Sequence, residues 1–177
     1  YLPKFNIETT FVDITDLDEV RKAIKPNTKL IYTESLNNPM LEVSNIPELS
    51  KISKLNNLKL IVDNTFTPMI MSPLKLGADI VVYSMTKFIN GSNDCLGGAI
   101  LSSQEFIESL TDVNNGTCML LGPVLDSLRS SNILKNLHTL HIRMKQHSKN
   151  AMFLAENLSK LGIKITYPGL KSHSQHE

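Results

Sequence analysis

Cysteine is scarce in this chain of 177 residues: there are two, Cys95 and Cys118, far apart and in no CxxC arrangement. That excludes a disulfide scaffold and a cysteine-rich zinc site, and it fits a reduced, cytoplasmic compartment. Neither charge is in excess. The 18 basic residues stand against 17 acidic ones, which argues against a general nucleic-acid or membrane-surface binder. No apolar run is long enough to span a bilayer, no secretory signal is visible, and neither GxGxxG nor a Walker A loop occurs, so a nucleotide site has no phosphate cradle here. Internal repeats and low-complexity tracts are also missing. What remains is an ordinary globular composition, 41% apolar and 20% charged, in a chain long enough for one real core. It opens on Tyr1 and stops at KSHSQHE, and it reads as an internal piece of a longer protein.

Periodicity sets the class. FNIETTFVDI (5–14) alternates and predicts a strand, followed by a helix over 15–24 with Thr15 or Asp16 as its cap. KLIYTES (29–35), LKLIVDNTF (58–66), ADIVVYSM (78–85) and LGGAILS (96–102) are short apolar runs that predict buried strands. Between them, IPELSKISKL (46–55) has helical spacing with Pro47 near its start, and SPLKLG (72–77) reads as a short helix stopped by Gly77. Ser103 caps a helix over 103–113. From Gly122 to Leu161 the pattern is helical almost throughout, with Pro123 at its start and Gly162 at its close, and IKITYPG (163–169) predicts a further strand. Strands alternating with helices mean an α/β architecture around a mostly parallel sheet flanked by helices. The boundary falls near 162: residues 1–161 form part of a large domain, and 162–177 begin a smaller C-terminal one.

In open α/β sheets, ligands gather at the carboxyl ends of the strands. Three successive exits carry chemistry: Asn37 and Asn38 after the first run, Asp63 in the second, and Ser84, Thr86 and Lys87 at the end of the third. An amide, a carboxylate and a hydroxyl–hydroxyl–amine cluster suit pyridoxal 5'-phosphate (PLP), which needs a lysine for its imine, an acid against its pyridinium nitrogen and donors for its phosphate. Position alone leaves plainer readings open. Asp63 could cap a turn, Lys87 could be a solvated loop lysine, and Ser84 and Thr86 could cap a turn as well.

The longer pattern is more specific. VDNTFTP, followed by SPLKLGADIVVYSMTKFINGSNDCLGG, resembles the core motif of the Cys/Met-metabolism PLP-dependent enzymes. TKLIYTESLNNPMLEVSNIPELSKI and the helical stretch from LGPVLDSL to NAMFLAENL resemble the segments on either side, so the likeness covers nearly the whole chain. It implies the large PLP-binding domain of a fold-type I, aminotransferase-like enzyme. Lys87 would be the Schiff-base lysine, Asp63 the partner of the pyridine nitrogen, Ser84 and Thr86 the phosphate-binding hydroxyls, and Asn38 the amide near the phenolic oxygen. Glu34 would have a supporting role. Two departures, the short DNTFTP spacing and SMTK in place of the commoner SATK, remove no chemical group. The family's glycine-containing phosphate loop, its ring-stacking tyrosine and the tyrosine and arginine lent by a neighbouring subunit would lie upstream of Tyr1. The arginine for the substrate carboxylate would lie downstream of Glu177.

The resemblance further implies a carbon–sulfur lyase acting on a small sulfur-containing amino acid in the cytoplasm. MLLGP (119–123) and YPGLKSHSQHE (167–177) favour α,γ-elimination of the methionine γ-lyase type. Cystathionine γ- or β-lyase activity, γ-replacement, and a catalytically inactive interaction module are the alternatives. A homo-oligomer is implied, a dimer or a dimer of dimers, with the apolar segment TCMLLGPV (117–124) buried by fold or partner. No metal is expected: His138 and His141 have i,i+3 spacing but no third ligand. Cys95 reads as a packed thiol, and Met69 and Met71 as core filler.

Overall fold

The computed structural model describes residues 1–176. After a single 3-10 turn at Leu2–Phe5, the chain forms α1 (Leu17–Ala23), β1 (Leu30–Glu34), α2 (Ile46–Leu55), β2 (Lys59–Asp63), β3 (Ile80–Ser84), β4 (Gly98–Leu101), α3 (Gln104–Thr111), α4 (Thr117–Leu121), α5 (Ser127–Leu137) and α6 (Leu140–Lys160). The sheet runs in the order β1-β2-β3-β4. Its first three strands are parallel, in a register that aligns Glu34 with Asp63 and Asp63 with Val82, and β4 closes antiparallel to β3. The mostly parallel α/β class expected from the apolar runs is the one observed.

Local chemistry explains the helix boundaries. The Asp16 carboxylate accepts from the Asp18 and Glu19 amides, Asn45 from Glu48, Ser103 from Phe106 and Asp126 from Arg129. Each of these side chains satisfies N–H groups that the first turn of a helix leaves free. α2 then lays Ile46, Leu49 and Ile52 onto Leu60, Val62 and Val81 of the sheet, with Val20 and Ala78 completing a dry core. Gly77 belongs to this contact. It sits at φ +107°, the Ser50 hydroxyl donates to its carbonyl at 2.8 Å, and a Cβ there would run into the Ser50 side chain.

Several sequence expectations need correction. The 5–14 segment is not a strand. Val12 and Ile14 do turn inward against the core while Phe11 and Asp13 stay exposed, but among the described residues no strand lies alongside to form a ladder. IKITYPG (163–169) likewise pairs with nothing among the described residues. Alternation is satisfied in both, yet a strand also needs a partner for its N–H and C=O groups. SPLKLG is a set of turns rather than a helix, because Pro73 and the positive-φ Gly77 leave room for only one turn of short-range bonds. The long helical tract starts at Ser127 with Asp126 as its cap, not at Pro123: Gly122 is left-handed at φ +65° and closes α4, and Pro123 follows outside any helix. A second break separates α5 from α6 at His138–Thr139. Met71 packs against the core as expected, whereas Met69 occupies an exposed turn at φ +66°.

Candidate functional site

Side chains alternate across a strand, and here the alternation sorts chemistry from packing. Leu60 and Val62 point into the core beneath α2, while Ile61 and Asp63 project from the opposite face. By register, Tyr32 and Glu34 of β1 and Val82 and Ser84 of β3 share that second face. The strand exits of β1, β2 and β3 are therefore adjacent, and they bring Glu34, Asp63 and Ser84 to one edge of one surface.

Asp63 is partly buried and well held. One carboxylate oxygen accepts the Thr65 amide at 2.9 Å, and the other accepts the Tyr32 hydroxyl at 3.3 Å. The Tyr32 phenol is pushed up to about 12, first by desolvation and then by the Asp63 charge beside it. Thr65 continues the chain of contacts, since its hydroxyl accepts the Ser84 amide at 2.7 Å. Asp63 and Ser84 are thus joined through one residue.

Beneath them lies a lock that sequence reasoning missed. Asn64 is fully buried, and its amide donates to the Met71 carbonyl at 3.1 Å and the Tyr83 hydroxyl at 2.9 Å. Its carbonyl oxygen accepts from Thr67 at 2.6 Å, and Thr67 in turn contacts buried Ser35 at 2.8 Å. Every buried polar side-chain atom among the described residues is satisfied, so this network fixes the loop after Asp63 without orphaned groups.

Ser84 ends β3 with a hydroxyl that makes no hydrogen bond among the described residues. The Thr86 hydroxyl instead accepts the Gly97 amide at 3.1 Å and ties the turn to the approach of β4. Lys87 follows, exposed, with no ion pair or side-chain hydrogen bond among the described residues. Its backbone amide donates to the Ser84 carbonyl at 3.3 Å. Asn38 is exposed at the tip of the β1 exit, before Pro39 in a cis bond, and the Glu34 carboxylate holds its backbone N–H at 3.0 Å. Glu34 is therefore a brace for the Asn38 turn. Two depressions, of about 430 and 690 Å³, lie elsewhere: one at the opposite strand ends around Lys59, Asp79 and Phe106, the other between Met40 and the tail. The candidate residues occupy an open sheet edge rather than a closed cavity.

The remaining candidates fall outside this cluster. His138 ends α5 and His141 lies in α6, both exposed. Cys95 is partly buried, and desolvation and the adjacent Asp94 carboxylate push its thiol up, which disfavours the nucleophilic thiolate. The tail after α6 folds back onto the Asn38 loop: Gln175 exchanges two hydrogen bonds with the Val43 backbone, at 2.9 and 2.7 Å, and the His173 ring meets the Leu41 carbonyl at 3.1 Å.

A mostly parallel α/β sheet with a held carboxylate, a free hydroxyl and an unpaired amine at neighbouring strand exits belongs to the class of α/β folds whose ligand sites lie at the carboxyl ends of the strands. Comparison with known proteins makes the class specific. The family described as Cys/Met metabolism PLP-dependent enzyme matches residues 1–177, and the chain belongs to it. It is 43% identical over 179 residues to methionine gamma-lyase of Arabidopsis thaliana, covering 100% of this chain and 41% of that one. To L-methionine gamma-lyase of Fusobacterium nucleatum subsp. polymorphum it is 42% identical over 180 residues, covering 99% and 45%. The crystal structure of metB from Corynebacterium glutamicum superposes with a TM-score of 0.87 at 39% identity, covering 94% of this chain and 43% of that one. The chain thus spans less than half the length of the relatives it matches.

Proposed function

We propose that the protein is a PLP-dependent carbon–sulfur lyase acting on a sulfur-containing amino acid, by α,γ-elimination of the methionine γ-lyase type. The observation that carries the reading is the meeting of Asp63, Ser84, Thr86 and Lys87 at adjacent strand exits in a chain of this family. The donor set fits the cofactor. Among the described residues the Lys87 amine has no competing partner and the Ser84 hydroxyl is free for a phosphate oxygen, while Asp63 offers a preorganised carboxylate on the open face. When bound, PLP supplies an electron sink for the carbanion chemistry that such eliminations need.

Each residue then has a task of its own. Asp63 holds a negative charge where a protonated ring nitrogen would sit, and the Thr65 amide and Tyr32 hydroxyl keep that carboxylate oriented. Ser84 would present its free hydroxyl to the phosphate, and Thr86 would join it by giving up its contact with the Gly97 backbone. Lys87 would hold the cofactor through its Nζ, and that amine is the group that would move the substrate α-proton. Asn38, steadied by Glu34, lies on the flanking exit as a donor for the phenolic oxygen. Elimination from methionine is supported by the MLLGP and YPGL segments and by the identity to two methionine γ-lyases. Residues 1–161 are assigned to the cofactor-binding domain and 162–177 to the start of a smaller one, consistent with α6 closing at Gly162 with φ +79°.

The exposed apolar run Met119, Leu120, Leu121 and Val124 favours a homodimer, or a dimer of dimers, as the working unit. None of the described helices is long and apolar enough to cross a membrane, and the sparse free cysteines fit a cytoplasmic setting. The test is direct. Borohydride reduction of the full-length protein with PLP should fix a pyridoxyl group on Lys87 by mass mapping, and methionine should yield a thiol and ammonia. A pyridoxyl group on another lysine, or none on any, ends the reading.

A further inference from the structure

The turn that carries Lys87 is held from behind by one side chain of α6. The Arg143 guanidinium donates to the Phe88 carbonyl at 2.5 Å, to the Ile89 carbonyl at 2.9 Å and to the Asn136 carbonyl at 3.0 Å. Its Nε donates to the Thr139 hydroxyl at 3.0 Å. No carboxylate pairs with it among the described residues. A full positive charge is therefore directed at the backbone of the two residues that follow Lys87 and at the α5–α6 junction. Hydrogen bonds from a charged donor are the strong ones, and a planar fork can serve several carbonyls at once where an ammonium cannot.

Neighbouring contacts converge on the same turn. Asn90 is 1% exposed. Its amide N–H donates to the Met85 carbonyl at 2.9 Å, and its side chain is gripped between Asn136 and Asp94, each at 2.8 Å. Gly91 donates to the Lys87 carbonyl at 2.8 Å with φ +74°, and a Cβ there would strike the Arg143 guanidinium. One helical turn beyond Arg143, the His147 ring meets Phe88 edge-on at 5.7 Å, and Phe88 packs on Phe66 of the β2 exit at 5.8 Å. The same face of α6 thus grips the backbone and the ring of the residue next to Lys87.

We propose that Arg143 is a positioning residue for Lys87: by fixing the Phe88 and Ile89 carbonyls it sets the turn from which the amine projects. The role rests on the reading of Lys87 as the cofactor-bearing lysine. Its test uses the full-length protein with Arg143→Met and, as the conservative variant, Arg143→Lys. Native-state hydrogen exchange without added cofactor is read first. The Asn90 and Gly91 amides should exchange roughly tenfold faster in Arg143→Met, the order expected for loss of charge-assisted bonds, while the β2 amides stay unchanged. Arg143→Lys should recover part of that protection, and it carries the test by itself where Arg143→Met does not fold.

PLP is then added and trapped with borohydride. The rate of labelling at Lys87 should fall in step with the lost protection and recover in part in Arg143→Lys. Acceleration spread equally over Asn90, Gly91 and β2, or labelling that stays at the wild-type rate, overturns the positioning role. Wild-type protein that leaves Lys87 unlabelled overturns the cofactor reading and this role with it. Labelled wild type with unchanged exchange at Asn90 and Gly91 overturns the role of Arg143 alone.

Discussion

The two faces of the sheet differ in what covers them. On the α2 side, Leu60, Val62 and Val81 are within 1% of full burial and meet apolar partners. On the other side, Tyr32, Glu34, Asp63 and Ser84 remain accessible, and their contacts are polar. A single strand serves both: in KLIVD, neighbours one residue apart face a dry core or an open edge. The period of two lets a fold keep stability and chemistry on the same backbone without making one residue do both. It follows that substitutions on the two faces should fail in different currencies, stability on one and turnover on the other.

The largest effect is expected at Lys87. In the full-length protein, Lys87→Ala should remove nearly all turnover and the borohydride-trapped cofactor, while the melting temperature without cofactor stays within a degree or two of wild type, as for a surface change. Loss of the fold in this variant would erase the division between faces. Next comes the core face. Leu60→Ala should cost about 2–5 kcal/mol in chemical denaturation, the usual range for emptying a well-packed leucine site. Ile61→Ala, one residue along and on the open face, should cost distinctly less. Equal costs would mean that the second face is covered as tightly as the first in the full-length protein.

Asp63→Asn sharpens the comparison at a smaller scale. The amide keeps the shape and removes the charge, so binding of PLP should persist while turnover falls by roughly 10²-fold or more, the scale of losing one preorganised charge. Near-normal exchange of the substrate α-proton in this variant would remove Asp63 from the chemistry.

These divisions were only partly legible in the sequence. β1, β2 and β3 announce themselves because each is a short apolar run, with the candidate residues at the ends of those runs, and α2 because its apolar residues recur at helical spacing behind Pro47. The 5–14 and 163–169 segments misled because alternation records which side of a strand is wet but not whether a neighbour exists to complete its ladder. The break at His138–Thr139 was hidden since neither residue is a strong helix breaker. Tyr32 was within reach: it lies two residues before Glu34, and that spacing on a strand puts both on one face. Arg143 was not, because its contacts with Phe88 and Ile89 bridge more than fifty positions, and nothing local marks an arginine that will fold onto distant carbonyls.

The smallest expected effect belongs to Tyr32, and it reports on how dry the open face is. Its hydroxyl donates to Asp63 at 3.3 Å, a long bond, so Tyr32→Phe should change turnover little at neutral pH. Alkaline titration is the sharper probe. Desolvation first, and the Asp63 charge second, raise the phenol from 10.0 to about 12. The raised value means that the folded state keeps its proton where the unfolded state has lost it. Below pH 10 both states are protonated and the stabilising contribution is complete. As pH climbs from 10 to 12 the unfolded state ionises alone, and stability falls. Above the folded value the contribution is gone. Tyr32→Phe should therefore flatten the decline in stability across that window. Asp63→Asn should lower the phenol only part of the way, since desolvation is the larger cause. An unchanged alkaline slope in Tyr32→Phe would show that the phenol titrates as if in water, and that this face is wetter than its hydrogen bonds suggest.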